Sequence, residues 1–193
     1  MKRSKVLSAL ALGLALAGCA GTPAPGNAVD GVQVQRNAQG EAIRAQFTPL
    51  PLDCGNALHC PTLGLTWSKD KPRQALLSMG FTRSGHAPVE MVEFDARPFG
   101  PMRVRSLAAE QPDKEQVVFQ APIETFERLA VSRGVLVRVH SGGQVLEESF
   151  ATGERSSQAA NALKRWLQQI YKGTEKEQEL GLRGLFADQP YER

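Results

Sequence analysis

Cys54, His59 and Cys60 stand within one short stretch, "CGNALHC". Two thiols and an imidazole at that spacing can close a disulfide, hold a metal or stay free. Structural zinc takes four ligands, and catalytic zinc takes three with a water. No further ligand stands at a recognisable spacing, so no metal residue is assigned. His86 and His140 complete the histidines. None belongs to an H-E-x-x-H helix, and each reads as a surface or turn residue. His140–Ser141 could meet an acid in the fold, as in a hydrolase, but there is no G-x-S-x-G nucleophile elbow. Ser68 and Lys71 have S-x-x-K spacing, yet they fall between two predicted strands beside Pro72, not at the start of a helix. Glu90 with Glu93 and Glu147 with Glu148 are carboxylate pairs of the kind that glycoside chemistry uses across a cleft. Adjacency in sequence does not create the cleft. The sequence therefore assigns no catalytic residue and no cofactor.

The start of the chain carries a more specific signal. Lys2, Arg3 and Lys5 form a basic head, and Val6 to Gly18 follow without a charge. That run has 13 residues, short of the roughly 20 that span a bilayer. With small residues before Cys19, it reads as a secretory leader over 1–18. The junction "LAGC", Leu16 to Cys19, resembles the lipobox of bacterial lipoproteins. The resemblance covers about twenty residues and leaves the downstream domain untouched. It implies that the Cys19 thiol takes a diacylglycerol and becomes the first residue after cleavage. A single acyl chain holds a bilayer only marginally, whereas two or three, palmitate among the usual ones, give stable attachment. An aspartate after the cysteine tends to retain lipoproteins at the inner membrane. Ala20 stands there instead, so the implied address is the outer membrane, facing the periplasm.

That address governs two further readings. In an oxidising compartment, Cys54 and Cys60 are an even pair and are expected to form a disulfide. The formal charge of +3 also loses its meaning. Three of the 23 basic residues leave with the leader, and the remaining 20 face 20 acidic ones. A nucleic-acid partner calls for a basic patch, and none is expected. The partners foreseen are the bilayer, through acylated Cys19, and an envelope protein.

About 175 residues remain after the leader, enough for one domain. Residues 19–46 read as the lipidated cysteine and a tether, because "GTPAPGNAVDGVQVQRNAQGEA" is poor in apolar mass and rich in turn formers. Such a tether spans roughly 30 Å. "VQVQ" alternates and allows a short edge strand. The domain is expected over 47–173. "TLGLTWS" puts Leu63, Leu65 and Trp67 on one face, and "ALLSMGFT" repeats the pattern with Ala75, Leu77, Met79 and Phe81. In "VEMVEFDA" the parity slips, as at a bulge. "PMRVRS" and "QVVFQ" read as two more strands. "APIETFERLAVSRG" has Pro122 at a helix start and Gly134 past its end. "VLVRVHSGGQVLEESF" reads as a hairpin turning at Gly142–Gly143, with Arg138 opposite Glu147 and Val139 opposite Leu146. That register places Glu148 awkwardly on the face of Val137. "SSQAANALKRWLQQIYKG" is an amphipathic helix with Trp166 on its apolar stripe. The tail, 174–193, is expected to dock on the domain or to bind a partner.

The fold class expected is α+β: an antiparallel β meander of about seven strands with two helices packed on one face. The function expected is that of a non-enzymatic lipoprotein, a binding, assembly or envelope-maintenance factor. The alternatives are a periplasmic hydrolase using Ser141 or Ser68 with a histidine, and an inhibitor of a cell-wall-degrading enzyme that presents the cysteine loop.

Overall fold

The computed structural model describes residues 31–55, 59–105, 116–153 and 155–183. Cys19, the leader, the first part of the tether and the end of the tail lie outside the described residues. The architecture is α+β and mostly antiparallel, with ten strands in two five-stranded sheets and three helices among the described residues.

Alternation builds the first sheet. It contains β1 (Val32–Arg36), β2 (Ala42–Pro51), β3 (Pro61–Ser68), β4 (Gln74–Phe81) and β7 (Val117–Pro122), in that order. Leu63, Leu65, Trp67, Leu77, Met79 and Phe119 all turn inward and are buried. Their neighbours on the other face are mostly Gln, Ser and Thr, which can stay wet.

The second sheet contains β5 (Val89–Arg97), β6 (Gly100–Arg105), β8 (Gly134–Ser141), β9 (Gln144–Thr152) and β10 (Arg155–Ser156), in the order β10-β9-β8-β5-β6. The parity slip in β5 is a bulge against β8 between Val89 and Met91. It lets Val89, Val92, Phe94 and Ala96 all face the core. The β8–β9 hairpin turns at Gly142 and Gly143, whose φ values are +54° and +76°. Two consecutive positive φ values are what a tight primed hairpin turn requires. Arg138 stands opposite Glu147 and Val139 opposite Leu146, as the pattern predicts.

The arrangement differs from a seven-strand meander in three ways. First, β4 pairs with β7, and β5 pairs with β8, so the chain leaves one sheet for the other after β4. Ten alternating strands present more apolar face than two short helices can cover, and the two sheets share one core instead. Second, residues 32–46, assigned above to the tether, form β1 and the first half of β2. Their apolar residues are few and small, but Val32, Ala42 and Ala45 all fall on the inward face and are buried. Third, the helices do not cover one face of one sheet. Helix α1 (Ile123–Val131) touches β5 and β7; α2 (Gln158–Tyr171) packs on β1, β2 and β3 and also meets β9 and β10. Each helix therefore contacts both sheets. Trp166 of α2 is fully buried, edge-on to Phe47 and Phe126 at 6.5 and 6.2 Å.

A third, short helix, α3 (Glu175–Glu179), begins the tail. Leu182 behind it is buried, and its carbonyl accepts a hydrogen bond from Gln168 Nε2 at 3.1 Å. The described part of the tail is docked.

Candidate functional site

Between β2 and β3 the chain makes a loop whose stems are held on two sides. Leu52 N–H donates to Pro61 O across the neck at 3.0 Å. Asp53 N–H donates to Ser149 O at 2.9 Å, which ties one stem to β9 of the second sheet. On the other stem, Cys60 N–H donates to Thr82 Oγ1 at 3.3 Å, and Thr82 N–H donates to Cys60 O at 2.9 Å. The Cys54 and Cys60 sulfurs stand at bonding distance, 2.04 Å, with their Cα atoms 5.7 Å apart. The covalent link and these hydrogen bonds leave the two stems little freedom to lose on binding a partner.

The Cys60–Thr82 pairing has a consequence that no local pattern discloses. His59 and His86, distant in sequence, meet with His59 Nδ1 and His86 Nε2 2.7 Å apart. One nitrogen must donate and the other accept. The rings are edge-to-face, 4.5 Å between centroids at 74°. His86 stacks in turn on Phe81, at 4.1 Å and 24°. His59 is exposed and His86 half-buried. His140 is on β8, opposite Met91 and Val145, and takes no part in this pair.

On the β9 side of the loop lies an open cavity of about 580 Å³. Asp53 and Arg155 put opposite charges on its wall, with Ser157, Gln158 and Asn161 supplying polar groups. Ser157 is occupied as the cap of α2, where its side chain accepts from Ala160 N–H at 3.1 Å. The carboxyl of Glu148 is pushed above its ordinary range, first by burial and then by the negative charge of Asp53. Glu148 stands opposite Val137, the awkward position that the hairpin register foretold.

The other carboxylates are placed differently. Glu93 on β5 is buried under two arginines that stand directly opposite it on neighbouring strands. Arg103 Nε donates to Glu93 Oε2 at 2.5 Å and Arg138 Nη1 donates to Oε1 at 2.8 Å. Arg138 Nε also donates to Glu147 Oε2 at 2.6 Å. The result is one charged row, Arg103–Glu93–Arg138–Glu147, across four strands. Hydrogen bonds from Arg103 and then Arg138 hold the Glu93 carboxyl below its ordinary range. A carboxylate so held is a poor general acid. Neither sequence pair makes a two-carboxylate site: Glu93 is engaged by the two arginines, and Glu147 and Glu148 occupy opposite faces of β9.

The hydroxyls singled out by the sequence are committed elsewhere. Ser141 is buried and donates to Ala87 O at 2.6 Å. Ser68 Oγ donates to Asp70 Oδ2 at 3.3 Å, and Lys71 N–H donates to Ser68 O in a turn. Among the described residues, no group of three or more His, Cys, Asp and Glu side chains is placed to hold a metal ion together.

In comparisons with known proteins the chain matches no family model, no curated protein and no solved structure.

Proposed function

We propose that this chain is a lipid-anchored protein of the bacterial envelope, acylated at Cys19 and held at the outer membrane with its domain facing the periplasm. Its work there is non-enzymatic: a binding, assembly or envelope-maintenance role exercised through an envelope protein partner. The observation that carries this reading is the "LAGC" junction behind a basic head and a short apolar run. The bonding distance between Cys54 and Cys60 fits an oxidising compartment. The contact face is the end of the domain that bears the disulfide loop and the open polar cavity, because rigid stems keep that surface in one shape.

Mass spectrometry of the native product tests the anchor. The expected N-terminal peptide begins at Cys19 and carries the added mass of acyl chains. A free thiol at Cys19, or an intact leader, overturns the proposal. Cross-linking from a photoreactive residue at Gly55 in intact cells tests the partner, with a discrete envelope adduct expected.

The alternative of a wall-enzyme inhibitor is favoured by one observation, the covalent closure and double pinning of the Cys54–Cys60 loop. Stems held in one shape are well suited to present a loop to a cleft. Inhibition of a lysozyme-type enzyme by the purified chain, lost on reduction, is the result that would select it.

A further inference from the structure

We propose that His59 and His86 form a two-imidazole site for a divalent transition metal, copper(II) ahead of nickel(II) and zinc(II) as the general affinity order of nitrogen donors has it. The inference rests on geometry at the loop and is independent of the lipid anchor.

The two ring nitrogens are 2.7 Å apart. Imidazole nitrogens bind such metals at about 2.0 Å, so two in cis positions of a square or tetragonal centre lie about 2.8–2.9 Å apart. Two corners of a tetrahedron at the same bond length lie about 3.3 Å apart. The apo separation is that of the hydrogen bond itself; it puts both donors within reach of one ion without selecting between the two geometries. Both donors are of the right kind, since neutral imidazole suits copper, nickel and zinc, and copper(II) leads the affinity order.

The backbone that carries the two rings is fixed before metal arrives. His59 adjoins Cys60, whose backbone is fixed by the sulfur bond and by the two hydrogen bonds with Thr82. The plane of His86 is fixed by stacking on Phe81. In the apo state each nitrogen points at the other. Metal binding needs the donors to converge on a point beside that line, and the exposed ring of His59 supplies this by turning about its Cβ–Cγ bond. The hydrogen bond is exchanged for two metal bonds, and the proton between the nitrogens passes to the far nitrogen of its own ring, so that both rings bind as neutral imidazoles. Two protein donors leave the other coordination positions to water or to a group from a bound partner.

The test is titration of the full chain in detergent with copper(II) sulfate, and separately with nickel(II) and zinc(II), at neutral pH. Electron paramagnetic resonance of the copper sample is expected to show a tetragonal centre with two nitrogen ligands. His59→Gln and His86→Gln should each weaken copper binding by about tenfold or more, as loss of one of two protein donors demands, while His140→Gln leaves it unchanged. Circular dichroism confirms that each variant is folded; these are surface positions, and the resonance spectrum of the unaltered chain reports the ligands without any variant. Binding that survives the His59→Gln/His86→Gln double change, absence of copper binding, or zinc bound more tightly than copper would each overturn the assignment.

Discussion

Arg138 Nη1 lies 2.8 Å from Glu93 Oε1, and the two residues face each other in register across β8 and β5. With Arg103 on the other side, the pair buries a carboxylate on the outer face of a sheet by covering it with two guanidinium groups. The arginines hold Glu93 below its ordinary range. A depressed folded-state pKa contributes stability above the unfolded value, and that contribution is lost as pH falls through the folded one. Glu93→Ala is expected to cost about 1–2 kcal/mol near pH 7, modest because both arginines are solvent-accessible. The difference from the unaltered chain should shrink on acidification below about pH 4, the ordinary carboxylate range. Urea unfolding at a series of pH values measures it.

Gly64 is buried in β3 beneath the irregularity in β2. A Cβ added there would stand 2.9 Å from Phe47 O and 2.9 Å from Pro49 N, both backbone atoms that cannot swing aside. Gly64→Ala is expected to destabilise by about 1–3 kcal/mol through overpacking. Gly134→Ala, whose Cβ would meet only Ala151 O at 3.9 Å, should cost less. Thermal denaturation of the two variants provides the comparison.

These two sites differ in how far the sequence discloses them. Alternation made β3, β4 and the β8–β9 hairpin legible, down to Arg138 opposite Glu147 and the bulge in β5. Helical spacing did the same for α1 and α2, Trp166 included. What alternation cannot say is which strand lies beside which. β4 next to β7 and β5 next to β8 follow from the closing of one core, a property of the whole chain. For the same reason the contact of Arg138 with Glu93, across β8 and β5, and the meeting of His59 with His86 carry no local signal. The meeting depends on Cys60 lying beside Thr82, which is a matter of register. The alternation of "VQVQ" allows β1, but the first half of β2 carries no such signal, because Ala42 and Ala45 weigh little in composition although both are buried.

The Cys54–Cys60 bond closes a loop with a separation of 6 residues. Chain-entropy arithmetic for a loop of this size gives about 2 kcal/mol. Cys54→Ser/Cys60→Ser, or reduction, is therefore expected to lower stability by about that amount while leaving both sheets intact. Hydrogen exchange should rise at Asp53 and Thr82, the amides that pin the stems, before it rises in β8. Uniform exchange across the domain on reduction would show instead that the bond holds the global fold.

Glu127 on α1 joins three helices. Tyr171 Oη on α2 donates to its Oε1 at 2.6 Å, and Lys176 Nζ on α3 lies 3.1 Å from its Oε2. Burial, and then the Glu127 carboxylate, push the tyrosine hydroxyl far above its ordinary range. A raised folded-state pKa gives stability that is complete below the unfolded value, about 10, and declines as pH rises past it. Tyr171→Phe is expected to cost about 1 kcal/mol at neutral pH. It should also remove part of the stability loss seen above pH 10, because phenylalanine has no proton to lose. Chemical denaturation between pH 8 and pH 11 checks both.

Glu148 inverts the logic of Glu93. Burial and the charge of Asp53 both disfavour its ionised form, so its pKa is raised in the folded state. The stability linked to that shift is present at low pH and is lost as pH rises through the folded value. Glu148→Gln keeps the shape and removes the charge, so it should raise the melting temperature at pH 7 and change it little at pH 4, where the native carboxyl is already largely protonated. Asp53→Asn acts on the same group from the cavity wall. It removes the repelling charge and should bring the Glu148 pKa down, a shift that carboxyl-carbon NMR titration reads directly. A Glu148 titration unmoved by Asp53→Asn would leave burial as the sole cause.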